Sequence, residues 1–186
     1  YTERPTDNQY SMDDWVEQAI GLLDALSIDK ASVVGNSFGG GLALAIAIRH
    51  PERVSKLVLM GSVGVPFMLT EGLDKAWGYQ PSIANMKQLL DIFAYNRELV
   101  SDELAELRYK ASIQEGFQEA FSSMFPAPRQ RWVVAMQSAP EDIKNIKHKT
   151  LIIHGRDDEV IPLSNAYELF ISLNMLNYTF LVNVDI

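Results

Sequence analysis

Ser37 lies inside Gly35-Asn36-Ser37-Phe38-Gly39, a G-x-S-x-G pentapeptide. A serine hydroxyl attacks a carbonyl only when a histidine takes its proton and a carboxylate orients that histidine. The flanking residues fit such a role. Ala31 to Val34 read as a short buried strand, and Leu42 to Ile48 as a buried, Ala-rich helix. A strand passing straight into a helix makes a nucleophile elbow, with the hydroxyl at the apex of a turn that admits only small neighbours. Ser37 is therefore expected in a strained backbone conformation. The positive end of the following helix would face a developing oxyanion, with the Phe38 backbone N–H as donor. A bare G-x-S-x-G also builds ordinary Gly-rich turns. The apolar frame on both sides favours the chemical reading.

The carboxylate should follow a later strand, and the histidine should follow the acid in the chain. Lys149 to His154 read as that strand, and Gly155-Arg156-Asp157-Asp158-Glu159-Val160-Ile161-Pro162 as the loop at its end. Asp158 is the expected acid, with Asp157 the adjacent rival that reads as a turn residue. The three histidines fit the base poorly. His50 closes the elbow helix, where a cation suits the dipole. His148 lies among lysines and reads as solvated, and His154 reads as a satisfied packing residue. By layout the base is expected at or just beyond position 186, which is Ile186. A second oxyanion donor is expected from a loop before residue 1.

These groups need a scaffold, and the remaining sequence supplies an α/β one. Ser11 or Asp13 can cap a helix to about Ala25, with Trp15, Val16, Ala19, Ile20, Leu22 and Leu23 on its apolar side. Lys56 to Met60 form a second buried strand. Strand, helix, strand in this order implies a parallel sheet. From Val65-Pro66 to about Pro140 there is no strand pattern. Helical stretches are expected at roughly 82–96, 101–112 and 115–123, rich in aromatics that build a lid's own core. Ser164 to Leu173 read as a helix and Asn177 to Val184 as a last strand. Residues 1–65 and 143–186 thus form a core and 66–142 a helical lid.

The bulk numbers exclude several classes. A net charge of −8 argues against nucleic-acid or anionic-membrane partners. An anionic substrate would then need one local cation. With no cysteine, disulfides and thiolate metal sites are excluded, and a reducing cytoplasm fits. No apolar run reaches the roughly 20 residues of a membrane span. A targeting segment could still precede Tyr1.

Several motifs resemble the α/β-hydrolases that cleave carbon–carbon bonds in meta-cleavage products of aromatic catabolism, closest to the 2-hydroxymuconate semialdehyde hydrolases. They are G-N-S-F-G-G at 35–40, R-H-P-E-R-V at 49–54, L-V-L-M-G-S-V-G at 57–64, S-D-E-L-A-E-L-R-Y at 101–109, M-F-P-A-P-R-Q-R-W at 124–132 and H-G-R-D-D at 154–158. The resemblance implies the α/β-hydrolase fold with a helical lid. It implies a small anionic 2-hydroxy-6-oxo-2,4-dienoate as substrate, ketonised and then cleaved by water through Ser, His and Asp, with no metal or organic cofactor. Ser37 and Asp158 match the nucleophile and acid. Arg108 matches a lid arginine that holds the substrate carboxylate, whereas on its own it would read as a surface ion pair. Asn36 matches the residue beside the nucleophile, and Val63, Trp77, Val133 and Val160 match pocket positions around the C6 substituent. A homodimer or higher homo-oligomer is compatible with the family.

Two departures stand out. The family's upstream strands and oxyanion loop are not present, and Val184-Asp185-Ile186 stands where the family has Gly-His-Trp. The expectation is an incomplete chain with its N-terminal strands missing, inactive as it stands. A small-ester serine esterase and a non-catalytic binding protein of the same fold are the alternatives.

Overall fold

The computed structural model describes residues 10–173 and the strand at 180–184. Residues 1–9, residues 174–179 with the start of the last strand expected from Asn177, and residues 185–186 lie outside the described residues. Helix α1 (Met12–Ala25) starts at a capping box. Ser11 Oγ accepts from the Asp14 amide at 3.2 Å, and the Asp14 carboxylate accepts from the Ser11 amide at 2.9 Å and hydroxyl at 2.7 Å. Val16 is the buried anchor, but Leu22 is 60% exposed, so the apolar side is narrower than the sequence implies.

Strand β1 (Ala31–Asn36) enters helix α2 (Phe38–Arg49), and β2 (Val54–Met60) follows a short 3-10 turn at Pro51–Arg53. The chain then runs through α3 (Glu71–Trp77), α4 (Ile83–Phe93), α5 (Asp102–Ser112), α6 (Phe117–Met124), α7 (Gln130–Ala135) and α8 (Pro140–Asn145). It returns through β3 (Lys149–Gly155), α9 (Ser164–Ser172) and β4 (Phe180–Val184). The sheet order is β1-β2-β3-β4, and every described pair is parallel. Parallel strands in this order bring the loops after β1, β2 and β3 to one sheet edge.

The expected helices at 82–96, 101–112 and 115–123 correspond to α4, α5 and α6. The helices α3, α7 and α8 were not expected. Each has seven residues or fewer, too short for a periodic pattern. The main core joins α1, α2, α8 and α9 to Leu57, Leu59 and Ile152 on one sheet face. Across the other face run Val34, Val58 and Leu151, which are register partners. Val34 is 64% exposed, so β1 is buried on one face only, not on both as its apolar run suggests. No helix among the described residues is long and apolar enough to cross a membrane.

The α1 cap gives a pH-dependent contribution. The Ser11 hydroxyl, and after it the Ser11 amide, hold the Asp14 carboxyl below its ordinary value of 3.8. A depressed folded-state value stabilises the fold above that ordinary value, and the contribution fades as pH falls through the folded one. Ser11→Ala is expected to lower the thermal midpoint at neutral pH. The gap to the parent should narrow as pH drops below 3.8. A gap of constant size would show that Asp14 takes no part.

Candidate active site

The geometry at Ser37 is set by backbone contact. A Cβ at Gly35 would lie 2.1 Å from the Gly39 carbonyl oxygen, so the end of β1 and the first turn of α2 touch directly. With no room for a loop, Ser37 takes φ 53° and ψ −116°. Positive φ in a residue with a side chain is strained by about 1–3 kcal/mol. Three hydrogen bonds hold it. The Ser37 amide donates to the Met60 carbonyl at 2.9 Å, and the Ser37 carbonyl accepts from the Gly40 amide at 3.0 Å and the Val63 amide at 3.3 Å. The side chain makes no capping bond, so its hydroxyl is not committed to the helix. Phe38 is the first residue of α2, where an N–H has no acceptor within the helix.

Across the edge, Asp158 is fixed by its own loop. Its Oδ1 accepts from the Val160 amide at 2.8 Å and the Ile161 amide at 2.9 Å. Its Oδ2 lies 3.3 Å from where a Cβ on Gly61 would be, at the end of β2. The side chain of Asp158 is 22% exposed, whereas that of Asp157 is 56% exposed and faces Arg156 at 3.7 Å. Of the neighbouring pair, Asp158 is the one built into the fold.

A cavity of about 670 Å³ opens between the sheet edge and the helical segment, and it gathers Asn36, Ser37, Arg108, Asp158 and Val160. Arg97, which sequence reasoning did not single out, shares its wall. Arg97 pairs with Asp91 at 3.1 Å and with Glu159 at 3.9 Å. Arg108 is exposed, and its side chain makes no hydrogen bond or ion pair among the described residues. The expectation that it would otherwise form a surface ion pair is not met.

Three expected pocket residues do not line this cavity. Val63, Trp77 and Val133 are buried together in an apolar cluster, where Trp77 stacks on Phe125 at 4.4 Å. Apolar contact draws them into one another. Ile161 belongs to both, lying in the cluster and on the cavity wall, and Val160 packs against the cluster from the cavity side. The Phe38 ring packs against the same cluster and lies edge-on to Trp15 at 6.0 Å.

None of the three histidines lines the cavity. His50 caps the end of α2, as expected, with Nδ1 3.8 Å from Glu52. His148 is not free in solvent: its Nε2 lies 2.9 Å from the Pro51 carbonyl, which it can meet only as donor. His154 is fully buried, and its Nε2 donates to the Ile161 carbonyl at 2.9 Å. Its Nδ1 has no partner among the described residues, so it is only half satisfied. Although its Nε2 is 3.6 Å from Asp158 Oδ2, that proton is already committed.

The family described as alpha/beta hydrolase fold matches residues 1–183. A 2-hydroxymuconate semialdehyde hydrolase of Pseudomonas sp. (strain CF600) is 63% identical over 169 residues, covering 91% of this chain and 60% of that protein. A 2-hydroxy-6-oxo-2,4-heptadienoate hydrolase of Pseudomonas putida is 62% identical, covering 91% and 61%. Among solved structures, a mutant meta-cleavage product hydrolase from Pseudomonas fluorescens IP01 complexed with acetates aligns with a TM-score of 0.94 and 58% identity. It covers 98% of this chain and 66% of that one. The chain thus spans about three fifths of the length of the curated relatives it matches.

Gly35→Ala tests the elbow. The new methyl meets a backbone carbonyl that cannot swing aside, so a loss of about 2–4 kcal/mol in unfolding free energy is expected. Urea titration measures it, and an unchanged midpoint would mean that strand and helix are not in contact there.

Proposed function

The chain belongs to the α/β-hydrolase fold family, and from that premise we propose that it carries the nucleophile, the acid and the carboxylate-binding arginine of a carbon–carbon bond hydrolase. The substrate class is a 2-hydroxy-6-oxo-2,4-dienoate from aromatic breakdown, such as 2-hydroxymuconate semialdehyde. The observation that carries the reading is one cavity shared by Ser37, Asp158 and an uncommitted Arg108. Residues 66–142 act as the lid over a core made of 1–65 and 143–186.

In this reading the Arg108 guanidinium grips the substrate carboxylate bidentately. Ketonisation of the dienol places a carbonyl where the breaking bond can leave its electron pair. Ser37, its proton taken by a histidine that Asp158 orients, attacks the 6-oxo carbon. The Phe38 N–H and the α2 dipole stabilise the oxyanion. Water supplies hydroxyl to the acyl carbon and a proton to the departing carbon, so a carboxylic acid and a shorter dienoate result. Val160, and behind it Val63, Trp77 and Val133, limit the C6 substituent. The base is assigned to none of His50, His148 and His154, because none of them lines the cavity. No metal or organic cofactor enters the scheme, and a homo-oligomer working in the cytoplasm is compatible with it.

The 186-residue chain alone is accordingly expected to turn over a yellow dienoate barely or not at all. Robust bleaching by it would overturn the assignment of the base. In a chain extended to its relatives' length, Ser37→Ala should lower kcat by about 10⁶-fold and Asp158→Asn by about 10⁴-fold. Arg108→Leu should raise KM by roughly 10–100-fold, the equivalent of a charge-assisted hydrogen bond of about 1.5–3 kcal/mol. Faster turnover of a nitrophenyl ester than of the dienoate would favour the esterase reading instead.

A further inference from the structure

The loop that holds Asp158 leans on the helical segment through one short element. Thr70 caps α3, its Oγ1 accepting from the Leu73 amide at 3.1 Å. The same hydroxyl donates to the Val160 carbonyl at 2.7 Å, ninety residues away in the chain. Two residues on, a Cβ at Gly72 would lie 2.4 Å from the Glu159 carbonyl oxygen and 3.0 Å from its carbon. Gly72 is buried inside a helix, where glycine is less favourable than alanine by about 1 kcal/mol. A glycine kept there trades helix stability for the approach of α3 to residues 159–160.

The two carbonyls that α3 touches, those of Glu159 and Val160, belong to the peptide units whose N–H groups are those of Val160 and Ile161. Both amides donate to Asp158 Oδ1. From the other side, buried His154 donates to the Ile161 carbonyl. The acid loop is therefore clamped between β3 and the first lid helix. The geometry points to Thr70 and Gly72 as positioning residues for Asp158, acting through the Glu159–Ile161 backbone. Neither touches substrate. The inference rests on the reading of Asp158 as the acid, but the placement of the loop can be measured independently of it.

Three variants separate positioning from helix stability. Thr70→Ser keeps both the cap and the hydroxyl donor. Thr70→Asp keeps a good N-cap acceptor but has no proton for the Val160 carbonyl. Gly72→Ala favours the helix but collides with Glu159. Amide hydrogen exchange at Val160 and Ile161, read by NMR on the 186-residue chain, reports the loop directly. Exchange at least tenfold faster in Thr70→Asp and Gly72→Ala, with parental protection in Thr70→Ser, is the expected pattern. If Thr70→Asp protects as well as Thr70→Ser, the hydroxyl is only a cap and the inference falls. It also falls if Gly72→Ala keeps full protection. Should Gly72→Ala not fold, the Thr70 pair decides. In the extended chain, the loop variants should lower kcat about tenfold with KM within twofold. Full turnover in Asp158→Asn would instead overturn the functional reading while leaving the clamp intact.

Discussion

The contact between the Gly35 α-carbon and the Gly39 carbonyl governs the rest of the site. Because strand and helix meet there without a loop, the chain must reverse within one residue, and Ser37 absorbs the whole turn at φ 53°. The strain is of order 1–3 kcal/mol. Three backbone hydrogen bonds at Ser37, each about 0.5–1.5 kcal/mol net, are enough to offset it. Two of the three come from β2 and the segment after it, so the elbow is stable only when the parallel pair is formed. Secondary structure, sheet pairing and the placement of the Ser37 hydroxyl are one cooperative unit.

The Asp158 carboxylate is held by a different principle. Asp158 sits on a short loop that has no strain of its own to lock it. Its carboxylate is instead pinned by two amides of the same loop, and that loop is pressed between a buried histidine on β3 and the first helix after β2. Ser37 fixed by the core and Asp158 fixed partly by the helical segment couple the two regions. Packing that moved α3 would displace the carboxylate before it disturbed Ser37.

Legibility in the sequence follows the same division. The elbow was readable because its constraint is local: five residues carry the turn, and their flanks carry the strand and helix. The strands at 54–60 and 149–155 and the helices α4 to α6 were readable from apolar pattern and caps. The helices α3, α7 and α8 were not, since six or seven residues give under two turns of periodicity. Thr70 and Pro140 were available as start signals at two of them. The exposure of Val34 was hidden because an apolar run reads alike whether one face or two are covered. Arg108 carried no signal beyond the family resemblance. The burial of Val63, Trp77 and Val133 in a shared cluster depends on residues far apart in the chain, which no local pattern encodes.

The charge distribution of the cavity bears on which substrate class suits it. The chain carries a net charge of −8, and Asp157, Asp158 and Glu159 all line the same cavity. An anion entering there meets repulsion unless a cation answers it locally. Arg97 is already committed to Asp91 and Glu159, which leaves Arg108 with its full set of donors among the described residues. A neutral ester would gain little from that guanidinium. A carboxylate would gain a charge-assisted, two-pronged contact that repulsion from the acidic wall makes necessary. The proposed substrate answers this charge pattern with one carboxylate for Arg108, held at a fixed distance from an electrophilic carbonyl. A dienoate meets that description, because its conjugated backbone holds the two ends rigidly apart.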